Sequence, residues 1–192
     1  VYDSALMQTI DVLDSSTIRL GSVNPATGVV SNVGPEYKMG INLNGAAINP
    51  YANKYYIGSG TNFLTFDMNS GNIISNVAVY GSLSSNSFQN FRFNQSDSTI
   101  YGMVPVNFYS SYFDSSVMST IEVLDSTQIR FASLNPNTGQ YTVIGSTSFT
   151  DLYTLAGNSI DPYQMLYYYS AVDTLVGIDL YTGAKYRAVP IQ

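Results

Sequence analysis

The chain of 192 residues has no cysteine, no histidine and no tryptophan, and only 10% of it is charged. Each absence closes off a class of chemistry. Without thiols there is no disulfide framework and no thiolate metal site. Without imidazole there is no Ser–His–Asp or Cys–His catalysis. Seven basic residues against thirteen acidic ones, for a net charge of −6, cannot build the phosphate-neutralising stripe that nucleic acid needs. No apolar run reaches the ~18 residues of a membrane-spanning helix. The opening Val1-Tyr2-Asp3-Ser4 is not a signal peptide, and the expectation is a mature form or a fragment.

What is present points one way. Ser, Thr, Asn and Tyr are abundant, with 17 Tyr and 9 Phe. Short runs rich in β-branched and aromatic residues recur, as in Lys54-Tyr55-Tyr56-Ile57, Phe63-Leu64-Thr65-Phe66 and Leu175-Val176-Gly177-Ile178. Asn, Gly, Asp and Pro punctuate them, and helical periodicity is almost absent. The chain reads as all-β, with a composition suited to a secreted or cell-surface protein.

The sequence also repeats itself. Residues 4–34 and 115–145 align at a constant offset of 111, and sixteen of those 31 positions are identical. The match continues with one inserted residue: Gly45-Ala46-Ala47-Ile48-Asn49-Pro50-Tyr51 answers to Gly157-Asn158-Ser159-Ile160-Asp161-Pro162-Tyr163. A finer unit lies inside, in which a strand runs into an Asn/Asp-containing turn that ends at Gly28, Gly71, Gly139 and Gly183. The spacings are 43, 68 and 44, so two are the size of a four-stranded sheet and the third is that sheet with an insertion. Each glycine is expected at positive φ in a tight hairpin. Within a unit, strand A ends at an Asn-Pro or Asp-Pro corner, B is the aromatic run, C leads to the glycine turn and D follows it. The units fall at about 1–34, 35–80, 81–145 and 146–192, in a single domain spanning 1–192.

With these motifs in place, the repeated INPYANKYYIG…LTFDMNSG and SIDPYQMLYYY…LVGIDLYTG patterns resemble bacterial β-propellers of the YVTN, lactonase or quinoprotein-like kind. The resemblance implies four-stranded antiparallel blades fanned about a channel lined by strand A. Val1-Tyr2 reads as a match to Ile100-Tyr101 in strand B, so the expected order is BCD, ABCD, ABCD, ABCD, with the first unit short of its inner strand. Closure would then need a protein partner or another copy of the chain, or the chain is part of a larger ring.

The extra residues of units one and three fall between strands B and C, roughly Asp3 to Ser16 and Val104 to Thr127. They are expected to form two similar hairpin arms on one face, in alternate blades. The polar aromatic stretch with Tyr109, Tyr112, Phe113 and Asp114 is the candidate ligand-binding surface, since Tyr offers wide contact area with a hydrogen-bonding end. An arm that merely packs over a neighbouring blade is the structural alternative.

Asp11 and Asp14 recur as Glu122 and Asp125, a candidate carboxylate set for Ca²⁺ or for acid–base work. The same residues also suit turns, or ion pairs with the repeated Arg19 and Arg130. Asp67 and Asp179 are expected as hairpin corners, and the Tyr55-Tyr56 and Tyr167-Tyr168-Tyr169 runs as filling between blades or as sugar-stacking platforms. The sequence reading is a non-catalytic binding and assembly module, without a cofactor unless Ca²⁺ is bound, that recognises protein or glycan through Tyr/Ser-rich loops and open blade edges. The alternative is a carboxylate- or calcium-dependent propeller hydrolase, lactonase- or glycosidase-like.

Overall fold

A computed structural model describes residues 2–3, 8–9, 16–39, 43–83, 85, 87–149, 155–171 and 173–191. The described residues are strands and turns. In chain order, β1 (Tyr2–Asp3) pairs with β2 (Gln8–Thr9), and β3 (Ser16–Val23) with β4 (Val30–Met39). Three four-stranded meanders follow. They are β5 (Leu43–Asn49), β6 (Lys54–Ser59), β7 (Asn62–Asp67) and β8 (Ile73–Ala78); then β9 (Gln89–Asn94), β10 (Thr99–Asp114), β11 (Ser119–Leu134) and β12 (Tyr141–Phe149); then β13 (Leu155–Asp161), β14 (Leu166–Ala171), β15 (Thr174–Asp179) and β16 (Lys185–Pro190). All strand pairing within the sheets is antiparallel and sequential. The first strands of the three complete sheets run side by side, with β9 between β5 and β13. These are propeller blades fanned from an inner row of A strands, as the repeat implies.

The turn that closes each C–D hairpin is built four times on one plan. The backbone N–H of Gly28, Gly71, Gly139 and Gly183 donates to the carbonyl of Asn24, Asp67, Asn135 and Asp179 at 2.8–2.9 Å. Each glycine has φ between 65° and 78°. The side chains at the Asn or Asp corner take the turn's free N–H groups. Asp67 Oδ1 accepts from Asn69 N at 3.1 Å and Ser70 N at 2.8 Å, and Asp179 Oδ1 from Tyr181 N at 3.0 Å and Thr182 N at 2.7 Å. These donors hold both carboxyls below the ordinary carboxylate range.

The same glycines join neighbouring blades. A Cβ on Gly71 would meet the Val33 carbonyl oxygen of β4 at 2.1 Å; on Gly139, that of Ala78 in β8 at 2.0 Å; on Gly183, that of Ile144 in β12 at 2.0 Å. Each blade's turn therefore seats on the outer strand of the blade before it, at a distance only glycine permits. Apolar side chains fill the rest. Between blades two and three, Tyr56, Phe63, Phe88, Phe91 and Tyr141 form one buried cluster. Between blades three and four, Tyr101, Phe131, Tyr167, Tyr169 and Ile178 form another. The tyrosine runs thus fill space between blades, with Phe131 and Tyr167 rings 5.2 Å apart.

One reading of the N-terminus is corrected by register. Tyr2 pairs with Thr9 and Asp3 with Gln8, just as Phe113 pairs with Thr120 and Asp114 with Ser119. Tyr2 is therefore the counterpart of Phe113 at an arm tip, and not of Tyr101 in strand B. The offset of 111 that governs residues 4–34 simply extends backwards. Consequently the described sheet of blade one holds strands C and D alone. The residue that shifts the offset to 112 lies in the bulge of strand D, because Ile18 faces Tyr37 while Ile129 faces Phe149.

Candidate functional site

The arm of blade three is the far half of β10 and β11. Their pairing runs unbroken from Ile100 opposite Leu134 to Asp114 opposite Ser119, with one bulge, where Phe108 faces Ser126 and Tyr109 faces Leu124. Asp125 is the extra residue of that bulge. Opposed residues share a side of the ribbon. Tyr109 and Phe113 therefore share one face with Leu124, and Tyr112 lies on the other with Ile121 and Val123. Tyr109, Tyr112 and Phe113 are all more than half exposed. No described strand backs the ribbon on either face, and such a two-stranded hairpin gains little stability from its own side chains.

The tip is ordered by its acidic residue. Asp114 Oδ1 accepts from Ser116 N at 2.8 Å and from Ser116 Oγ at 2.6 Å, and these bonds hold its carboxyl below the usual range. At the base of the arm, Thr127 Oγ1 donates to Asn107 Oδ1 at 2.8 Å, and Asn107 Nδ2 donates to the Tyr109 hydroxyl at 3.3 Å.

In blade three the repeated carboxylate and arginine, Asp125 and Arg130, do not meet as the spacing suggests. Asp11 and Asp14 lie outside the described residues. Glu122 is exposed on the arm, opposite Ser111, and Asp125 Oδ1 accepts from Ser110 Oγ at 2.8 Å. Arg130 donates instead to the carbonyl of Ser146 and to Gln128 Oε1, so it does not pair with Asp125. Arg19 forms an ion pair with Glu36 at 2.7 Å. In both cases a partner comes from the bulged stretch of the adjacent strand D. Among the described residues no group of three or more acidic side chains is placed to hold a metal ion.

A residue that sequence reasoning passed over lies on the inner row. Arg92 of β9 donates from Nη1 to the Ala46 carbonyl of β5 at 2.8 Å and from Nε to the Asn158 carbonyl of β13 at 3.2 Å. One guanidinium thus ties three A strands together. The signal was available: Arg92 stands alone as a cation between Phe91 and Phe93 in an otherwise uncharged strand. Next to it Tyr167 is fully buried; it accepts from Asn158 Nδ2 at 3.0 Å and donates to the Asn90 carbonyl. Burial pushes its phenol pKa up, against the lowering effect of Arg92.

A cavity of about 620 Å³ opens between blades one and two. Leu20, Val33, Ile48, Tyr55, Ile57 and Phe66 give it a mostly apolar lining, and Arg19 stands at its rim. It is the space that the second buried cluster fills between blades three and four.

No protein-family model matches the chain, and no curated protein does. Solved structures do. The chain is similar to a candidate 6-phosphogluconolactonase of Bacteroides fragilis, at a TM-score of 0.51 and 11% identity, over 92% of this chain and 49% of that one. It is similar to BamB of Moraxella catarrhalis at a TM-score of 0.47 and 15% identity, over 91% and 50%, and to AztD of Citrobacter koseri at 0.36 and 9%, over 93% and 57%. The chain thus spans about half the length of the proteins it matches. At such identities the likeness speaks to architecture alone, and with the repeated four-stranded sheets it establishes a β-propeller fold, with no family assigned.

Proposed function

We propose that the chain is a non-enzymatic binding and assembly module that acts outside the cell or at its surface, recognising a protein or glycan through its arms and through open blade edges. The observation that carries this reading is the exposed ribbon of Tyr109, Tyr112 and Phe113, with apolar groups on both faces. Contiguous exposed apolar surface on a polar chain marks an interaction site. Tyrosine and serine side by side supply rigid contact area and adaptable hydrogen bonds. The two-stranded sheet of blade one adds an edge able to pair with another strand. A secreted or surface location is supported by the low charge and the Ser/Thr/Asn/Tyr-rich composition. The hydrolase alternative needs converging acidic side chains, and Glu122 and Asp125 lie out on the arm instead.

The test is a triple variant, Tyr109→Ser with Tyr112→Ser and Phe113→Ser, compared with the parent for binding to a glycan array and to intact envelope surfaces and for self-association by sedimentation. The reading expects at least one of these to be present in the parent and lost in the variant at unchanged fold. Equal behaviour of the two proteins in all three assays overturns the arm's role. Lactone or glycoside hydrolysis by the parent that is abolished by Glu122→Gln would favour the enzyme.

A further inference from the structure

At the end of each blade away from the arm, the turn between strands A and B lies beside the turn between strands C and D. In blades two and four one backbone bond ties the two turns: Met68 N donates to the Asn53 carbonyl and Leu180 N to the Met165 carbonyl, both at 3.0 Å. Blade three has Ser98 and Pro136 at these places. Ser98 shares the left-handed backbone of its counterparts, with φ of 59° against 54° for Asn53 and 55° for Met165. Proline has no N–H, so the Ser98 carbonyl lacks the donor that its counterparts have. The side chains differ too. Leu180 is 1% exposed, and Met165 packs against the buried cluster between blades three and four. Between blades two and three a groove of about 520 Å³ stays open instead, with Lys54 and Tyr56 of blade two on one side and Ser98, Pro136, Asn137 and Gln140 of blade three on the other. Both blades that flank it are complete four-stranded sheets.

The lining is made of hydroxyl and amide groups, and among the described residues that form it Lys54 is the only charged one. Asn137 and Gln140 spend their backbone N–H groups within the turn, on Asn135 Oδ1 at 3.0 Å and Thr138 Oγ1 at 3.2 Å. Their side-chain amides are left to face outward with no hydrogen bond among the described residues. An aromatic ring meets the same A–B turn of blade three: the Tyr51 hydroxyl donates to Gln95 Oε1 at 3.5 Å, and Tyr51 is 81% exposed.

We propose that this groove is a binding site for a neutral saccharide. Sugar hydroxyls are donors and acceptors at once, which suits the amides of Asn137 and Gln140 and the open Ser98 carbonyl. The exposed Tyr51 ring offers an apolar surface to the C–H face of a pyranose, with a hydroxyl at its edge. One ammonium on a chain of net charge −6 gives an anionic ligand no favourable field. The strands beside the groove are paired within their sheets, so no backbone edge is presented to a peptide. The site lies at the opposite end of the blade from the arm, goes beyond the proposed function and stands without it.

The probes are cellopentaose, xylopentaose, maltopentaose and chitopentaose, each titrated into the intact chain by isothermal calorimetry. Saturable binding of at least one is expected, with a Kd below about 1 mM. Tyr51→Ala, and separately Asn137→Ala with Gln140→Ala, should each weaken that binding at least tenfold. The three side chains are exposed, so circular dichroism should not change. Ser98→Met with Pro136→Leu copies the closed junction of blade four, restores the backbone donor and should also cost at least tenfold. If that variant does not fold, the Tyr51 and amide variants decide alone. No binding of any of the four probes at about 5 mM, or binding that every variant retains, overturns the proposal. Tighter binding of pentagalacturonic acid than of all four neutral probes overturns the choice of ligand. A protein with the arm excised separates this site from the proposed function, because it must bind the same saccharide with unchanged affinity. Binding that is lost with the arm but kept in Tyr51→Ala would assign the sugar to the arm and sink the groove.

Discussion

Gly71 touches the backbone of Val33 so closely that a single added methyl would lie 2.1 Å from the Val33 carbonyl oxygen. Gly28 occupies the equivalent turn of blade one with a similar φ of 70°, yet has no heavy atom within 4 Å of its would-be Cβ. The pair separates backbone strain from blade packing. Gly28→Ala should cost about 1–2 kcal/mol from the left-handed conformation alone. Gly71→Ala adds a clash worth about 1–3 kcal/mol more. Urea denaturation of both variants, read by circular dichroism, checks the difference. Equal losses would mean that the turn does not seat on its neighbour.

Arg92 is the strut of the inner row. Arg92→Ala removes charge-assisted bonds to the carbonyls of Ala46 and Asn158 and should destabilise the chain by about 2–3 kcal/mol. Arg92→Lys should recover less than half of that, because an ammonium cannot fork between two strands as a guanidinium does. Hydrogen exchange along β5 and β13 should quicken in both variants. Unchanged exchange there would show that the strands hold without it.

Stability should fall in acid through the hairpin corners. The carboxyls of Asp67, Asp114 and Asp179 titrate below the ordinary value of 3.8 in the folded chain, held by N–H and hydroxyl donors. A depressed folded pKa contributes stability that is fully present above the unfolded value and is lost as pH falls through the folded one. Unfolding free energy should therefore hold steady from neutral pH to about pH 5 and decline below about pH 4. The double variant Asp67→Asn, Asp179→Asn keeps an acceptor oxygen without the titration. Its urea midpoint should change less between neutral and acid conditions than that of the parent.

The arm should be dispensable for folding. Val106 faces Gln128 across the ladder. Replacing residues 107–127 by Asn-Gly closes the hairpin with a two-residue turn of the favoured kind. Because the arm's large side chains are exposed, unfolding free energy should stay within about 1 kcal/mol of the parent. A larger loss, measured by urea denaturation, would mean that the arm packs on a blade.

The triplet Asn94-Gln95-Ser96 matches a glycosylation acceptor, but Asn94 is fully buried, and its Oδ1 accepts from Ser96 N at 3.2 Å. Expression in a glycosylating host should leave Asn94 unmodified by intact mass. A glycan there would require blade three to be open during synthesis.

Much of this molecule is written in local chemistry. Asn and Asp before a glycine define the hairpins at Gly28, Gly71, Gly139 and Gly183 without reference to distant residues, and the aromatic runs at Tyr55 and Tyr167 announce strands that pack between blades. The extended arm was legible from the partial alternation at Thr120-Ile121-Glu122-Val123-Leu124. The arginine partners were not. Arg19 meets Glu36, and Arg130 the Ser146 carbonyl, in the bulged stretch of strand D, and bulge positions leave little trace in sequence. The placing of Tyr2 failed for a related reason: two residues of generic strand character fit more than one strand, and only cross-strand register distinguishes them.

Sequence alone determined the repeat, the all-β character and the turn chemistry, because each depends on residues near one another along the chain. Tertiary structure decided which faces meet: that Arg92 clasps three inner strands, that the turn glycines lock blade to blade, and that one of two duplicated interfaces is filled while the other holds a cavity. Those outcomes depend on which strands lie beside one another in space, and residues far apart along the chain meet there in ways that no local sequence pattern records.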